Sequence, residues 1–174
     1  VAREPNDSRE AFQGTLIDVV VEMWPEGVRE LVHHPGAAAV VAFDGDDVVL
    51  VRQFRQSIRQ VTLEIPAGIL DVEGESAREC AIRELQEEAG YRAGDVEPLG
   101  AVHTSLGFTD ERIELFMCTA ERDGEPEEGI DLVVMPFADA VQAVRDGGIS
   151  DAKSVAALLL AADRRASLDA SGSG

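Results

Sequence analysis

Hydrophobic and polar positions alternate through the first half of the chain and then change period, and that change predicts the architecture. In "GTLIDVVVEMWPEGVRELVHHPG" two β-branched runs flank Pro25, Glu26 and Gly27, which predicts two strands and a turn. "AAAVVAFDGDDVVLVRQFRQ" repeats the arrangement, with its turn over Asp44 to Asp47. "VTLEIPAGIL" predicts a short strand that ends at Pro66, because proline has no N–H with which to continue a ladder. From Glu75 to Ala89 strong helix formers follow one another; Ser76 and Glu79 have capping-box spacing and Gly90 is the stop. "VEPLGAVHTS", "ERIELFMCTAER" and "GIDLVVMPF" predict further strands, and "FADAVQAVRDG" and "SDAKSVAALLLAADRRA" predict two closing helices. Strands first, one helix in the middle and helices last predict an α/β domain with a mixed sheet.

The 174 residues, 45% of them hydrophobic, suit one compact domain. Residues 1–10 predict a flexible lead and residues 167–174, "SLDASGSG", a flexible tail. No apolar run reaches eighteen residues, and "VAREPNDSREAFQG" lacks the basic and apolar parts of a secretion signal, so the expectation is a cytoplasmic protein without a membrane partner. The formal net charge of −19 argues against nucleic acid as a partner. An anionic substrate would need local arginines and a divalent cation. Cys80 and Cys118 match no ligand spacing and predict core or boundary thiols without a disulfide, and His33, His34 and His103 do not have the spacing of a metal site.

On a helix each residue advances about 100°, so Glu84, Glu87 and Glu88 share one face while Ala81, Ile82, Leu85 and Ala89 occupy the neighbouring arc. Three clustered carboxylates repel one another, and a hard divalent cation relieves that repulsion. Mg²⁺ suits it best, since it accepts a few carboxylates and commonly holds substrate phosphates. Pro66-Ala67-Gly68, ahead of the helix, can bring a backbone carbonyl to the same cation. In so acidic a chain the same glutamates could also form a solvated face, with Arg83 and Glu87 as a surface pair. Arg52 and Arg55, at the end of a strand, are candidates for substrate phosphates or for surface charge.

The segment resembles the signature of the Nudix hydrolase family. Glu75, Arg83, Glu84, Leu85, Glu87, Glu88 and Gly90 keep the mutual spacing of that pattern; Gly68 stands one residue further from Glu75 than the pattern has it, and Tyr91 replaces an aliphatic residue. "LVHHPGAAAVV", "LVRQFR", "LEIPAG", "GFTDERIELF" and "DAKSVAALL" are similar to landmarks of the ADP-ribose pyrophosphatase branch. The resemblance implies a Nudix-type α/β/α sandwich with a mixed sheet over residues 36–166. It also implies an N-terminal antiparallel sheet, the hairpin of residues 11–35, used in homodimerisation.

Carried over, the family's metal ligands become the Ala67 carbonyl and Glu84, Glu87 and Glu88, holding Mg²⁺ with Mn²⁺ as its substitute. Glu64, Gly68, Glu75, Arg83 and Gly90 shape the motif, with Arg83 and Glu75 tying helix to loop. The branch brings its general base from a later loop, here "RDGEPEEGID", which makes Glu127 and Glu128 the catalytic candidates beside Glu84, and Glu125 the third. Arg112 falls near the terminal ribose. Trp24, beside Met23 at the hairpin tip, is a base stacker or an interface residue. The implied reaction is Mg²⁺-dependent hydrolysis of ADP-ribose to AMP and ribose 5-phosphate. Other nucleoside diphosphate sugars, dinucleoside polyphosphates or nucleotide binding without turnover are the alternatives.

Overall fold

The computed structural model describes residues 3–172, the side chains of Asp169 and Ser171 excepted. Strands β1 (Asp7–Gln13), β2 (Asp18–Trp24) and β3 (Gly27–His33) form an antiparallel sheet in that order. Trp24 pairs with Gly27 across the Pro25-Glu26 turn. β1 begins inside the segment expected to be a flexible lead. Its polar residues have little strand preference of their own, but β2 offers an open edge, along which Asp7 pairs with Met23 and Gln13 with Asp18. The expected hairpin is thus three strands.

Seven strands make the main sheet: β4 (Ala37–Asp44), β5 (Asp47–Arg55), β6 (Gln60–Glu64), β7 (Ala67–Ile69), β8 (Tyr91–His103), β9 (Arg112–Arg122) and β10 (Asp131–Pro136). Their order is β10-β5-β4-β9-β8, with β6 against β5 and β7 against β4. β4 and β9 run parallel and the other pairs antiparallel, so the sheet is mixed. β4 and β5 pair only beside their turn, from Asp44–Asp47 to Ala42–Val49. They then part, and β6 and β7 enter the fork between them. Pro66 sits at the point of the fork, where it donates nothing and accepts the Val40 N–H at 3.0 Å.

Period-two alternation divides the core. Ala38, Val40, Ala42, Val49 and Val51 pack against Cys80, Ala81, Leu85 and Ala89 of α1 (Ala77–Ala89). Ala39, Val41, Phe43, Val48 and Leu50 face α2 (Phe137–Arg145) and α3 (Ala152–Gly172) through Ala140, Ala157, Leu158 and Ala161. β4 is therefore apolar on both faces, and the layers are helix, sheet, helix. α1 carries the expected capping box of Ser76 and Glu79, and Gly90 closes it at φ 69°. α3 runs into the segment expected to be a flexible tail: no proline or glycine interrupts it before Gly172, and each added residue gains a helical hydrogen bond. Residues 173–174 of that expected tail lie outside the described residues. Among the described residues no helix is long and apolar enough to cross a membrane.

Two fastenings join the periphery to the main sheet. The N-terminal sheet meets the loop before β9, where the Val32 N–H donates to Phe108 at 2.7 Å and His33 Nδ1 bonds Asp110 Oδ2 at 2.6 Å. The start of α3 grips the Glu64–Ile65 segment: the Ser154 hydroxyl accepts the Ile65 N–H at 2.9 Å, and Lys153 Nζ donates to Glu64 Oε2 at 2.5 Å. Glu64 also receives a two-pronged bond from Arg55, at 2.7 and 2.6 Å. Burial alone would raise its pKa, but Arg55 and Lys153 outweigh burial and hold it at about 2.

Because the folded value lies below the ordinary one, Glu64 stabilises the fold fully above about pH 4.5, and its contribution drains away as pH falls toward 2. Its full contribution is on the order of 3 kcal/mol. Denaturant melts at pH 6 and pH 3 should show the parent chain losing about 2 kcal/mol more than Glu64→Gln over that interval. Parallel losses in the two proteins would mean that Glu64 is not the acid-sensitive fastening.

Candidate metal and phosphate site

The second half of α1 presents its carboxylates to the strand that fills the fork. Glu88 is buried there, with Oε2 accepting the Ala67 N–H at 3.0 Å and Oε1 the Gln53 amide at 3.2 Å. Glu84 lies across Gly68, so close that a Cβ on residue 68 would overlap its carboxylate. Gly68 is part of β7, paired with Ala38, and its backbone is ordinary strand. It is glycine for room, not for a turn; the residue with turn geometry is Gly74, at φ 82°. Glu87 is half exposed.

Arg83 holds this group together. Its Nε and Nη2 fork onto Glu75 at 2.8 and 2.9 Å, and its Nη1 donates to Glu84 at 2.5 Å and Glu87 at 3.0 Å. One guanidinium thus answers three carboxylates, and Glu88 lies outside its reach. Burial pushes the carboxyls of both Glu84 and Glu88 above the usual range; Arg83 opposes this at Glu84, and the Ala67 and Gln53 bonds oppose it at Glu88. Both are raised, so burial outweighs the compensation that each receives. Among the described residues no three metal-ligating side chains converge into a ready cage. The donors nevertheless fit a hard divalent cation: oxygen ligands only, two of them desolvated, over a backbone that Gly68 leaves open.

A cleft of about 570 Å³ adjoins this face, lined in part by Arg55, Glu64, Ala67, Gly68, Glu111 and Lys153. Gln53 and Arg55 stand two apart on β5, so they face the same side; one reaches Glu88 and the other enters the cleft. Arg52 projects to the opposite side and does not line the cleft. Arg112 is exposed and paired with Glu114, outside the cleft. Trp24 ends β2 with its indole N–H on Glu22 at 2.8 Å, also away from the cleft of its own chain.

Glu127 and Glu128 are exposed in the loop after β9, and the Glu127 N–H donates to the Glu87 carbonyl at 3.0 Å. That bond fastens the loop to the carboxylate-bearing end of α1. Glu125 turns away onto Arg122. The structure therefore brings together Ala67, Gly68, Glu75, Arg83, Glu84, Glu87 and Glu88, with Gly90 closing the helix, Glu64 and Arg55 on the adjoining wall, and the Glu127 backbone alongside. Gln53 and Glu111 lie outside the signature segment of the sequence; the one local signal for Gln53 is its two-residue offset from Arg55. Burial pushes the thiols of Cys80 and Cys118 up to about 12, in keeping with inert core residues.

The family profile of the NUDIX domain matches residues 32–158. The chain is 36% identical over 159 residues to the ADP-ribose pyrophosphatase of Bacillus subtilis, covering 84% of this chain and 85% of that protein. It is 35% identical over 163 residues to the methanol dehydrogenase activator of Bacillus methanolicus, covering 87% and 88%. A GDP-mannose pyrophosphatase of Cronobacter sakazakii is 34% identical over 142 residues, 73% of each chain. The crystal structure of an ADP compounds hydrolase superposes with a TM-score of 0.76 over 92% of both chains, at 20% identity, and shares the fold. The carboxylate-bearing helix, the fork that receives it and these relatives agree: the chain belongs to the Nudix hydrolase family, on its ADP-ribose pyrophosphatase-like branch.

Proposed function

We propose that the protein hydrolyses the pyrophosphate bond of ADP-ribose, giving AMP and ribose 5-phosphate, with Mg²⁺ as its cofactor. The observation that carries this reading is the meeting of partly buried Glu84 and buried Glu88 with Ala67 and Gly68, next to a cleft that holds Arg55. Glu84, Glu87 and Glu88, with the Ala67 carbonyl, would hold the cation. When bound, Mg²⁺ supplies positive charge for phosphoryl oxygens that gain charge in the transition state. Arg55 presents its outward N–H groups to the substrate phosphate. Glu127 or Glu128 takes the proton of the attacking water as its oxygen bonds to phosphorus and the P–O–P bridge breaks. Arg83 keeps Glu84 and Glu87 aligned and screens their repulsion.

Relatives named for ADP-ribose and for GDP-mannose support the wider substrate class of nucleoside diphosphate sugars, and within it we assign ADP-ribose. The proposed assembly is a homodimer through the N-terminal sheet. Its support is an apolar surface on that sheet, with Phe12, Met23 and Val28 exposed by 55%, 46% and 52%. In such a dimer Trp24 would serve at the interface or against the partner's nucleoside.

Chromatography of products from ADP-ribose, other nucleoside diphosphate sugars and diadenosine polyphosphates, with Mg²⁺ or EDTA, should show AMP and ribose 5-phosphate formed fastest from ADP-ribose and only with metal. Faster release of a sugar phosphate from another nucleotide sugar would move the assignment within the class.

Glu88→Gln removes ligand charge and almost no volume, and should cut turnover by about 100-fold or more while the melting temperature holds. Equal turnover at limiting Mg²⁺ would remove Glu88 from the metal site. Gly68→Ala should do comparable damage by displacing Glu84. Light scattering should give twice the chain mass, falling to one in Phe12→Glu/Val28→Glu; a monomeric parent chain would defeat the dimer.

A further inference from the structure

Lys153 is the single lysine of the chain, and the proposed hydrolysis gives it no part. It is buried at the start of α3, where Nζ donates to Glu64 Oε2 at 2.5 Å and Asp151 Oδ2 at 2.9 Å. Asp151 is itself fixed, accepting the Ser154 N–H at 3.0 Å and the Ser154 hydroxyl at 2.6 Å. Glu64 is occupied on both oxygens: Oε2 accepts from Lys153 and from Arg55 Nη2 at 2.6 Å, and Oε1 from Arg55 Nε at 2.7 Å and the Thr62 hydroxyl at 2.5 Å. A guanidinium has five N–H donors. Arg55 gives one edge to Glu64 and keeps the rest where its side chain, 37% exposed, lines the cleft. Held by two bonds on one edge, it cannot swing without breaking both.

We propose that Lys153 is a positioning residue, which acts through Glu64 to hold the Arg55 guanidinium at the depth where its outer N–H groups meet a substrate phosphate. The inference rests on the pyrophosphatase reading of the cleft. Asp151, Lys153, Glu64 and Arg55 form a chain of alternating sign with no net charge. Without Lys153, Arg55 alone answers two carboxylates and is drawn inward toward them. Its outer donors then withdraw, and the wall that an anion meets is net negative. Lys153 makes no hydrogen bond to the carboxylates of α1 or to the loop bearing Glu127, so the loss falls on substrate binding and spares the attack of water.

The test compares Lys153→Met and Lys153→Arg with the parent chain on ADP-ribose and Mg²⁺, each variant checked for an intact thermal transition. Lys153→Met should raise KM about tenfold with kcat changed less than about threefold, and Lys153→Arg should recover most of the loss. In a Glu64→Gln background, Lys153→Met should add little, since the two act in series. An unchanged KM, or a fall in kcat at constant KM, overturns the proposal. A second readout is independent of turnover: ¹⁵N-lysine labelling gives one side-chain ammonium signal, which Arg55→Gln should displace. A signal that stays in place overturns the coupling of Lys153 to Arg55. A parent chain that hydrolyses no substrate in the panel defeats the pyrophosphatase reading, and the ammonium signal then judges the coupling alone.

Discussion

Glu88 accepts the Ala67 N–H on one oxygen and the Gln53 amide on the other, so a single buried carboxylate on α1 touches β7 and β5 together. A charge in that position is costly unless it is paired or hydrogen-bonded. Its partners exist only because β4 and β5 separate past Ala42 and Val49, leaving a fork that Pro66 fills without needing an acceptor for an N–H. On one side of the proline Ala67 turns its amide to α1, and on the other Glu64 enters the cleft between Arg55 and Lys153. Two buried glutamates thus flank a three-residue segment, one compensated by cations and the other left short of them. That contrast is why one wall of the cleft suits an anion and the neighbouring face suits a metal.

Electrostatics across the whole chain sharpen the division of labour. With 34 acidic residues against 15 basic ones, the general field repels a pyrophosphate. Attraction must come from a few short-range donors held rigidly, since long-range contributions of the wrong sign are partly screened by salt and close ones are not. In the proposed function Arg55 is such a donor, and its fixed edge on Glu64 limits the freedom that binding would otherwise have to remove.

The parts of this site that are legible in the sequence are those decided within a turn or two of chain. Ser76, Glu79 and Gly90 bound α1 through local capping, and the common face of Glu84, Glu87 and Glu88 follows from helical spacing alone. What the sequence withholds depends on where distant segments meet. β1 forms because β2 has an edge to offer, in spite of its own residues. Arg52 and Arg55 are an odd number of positions apart, so a strand must send them to opposite sides; which side holds the cleft is settled by where β6 and α1 pack. Gly68 is required by a glutamate sixteen positions later, a contact that no local pattern announces.

The spacing between Gly68 and Glu75 has a structural meaning that the signature alone does not convey. Gly68 belongs to the sheet through Ala38, whereas Glu75 is tethered to α1 by the two-pronged grip of Arg83. The residues between them bridge two rigid bodies whose relative placement is fixed elsewhere, by Glu88 and the apolar face of α1. An extra residue there lengthens a surface bend, with Gly74 supplying the reversal, and leaves the bond between Glu88 and Ala67 in place. The loop is an expansion joint: the chain can vary in length at this point while the chemistry on either side keeps its register.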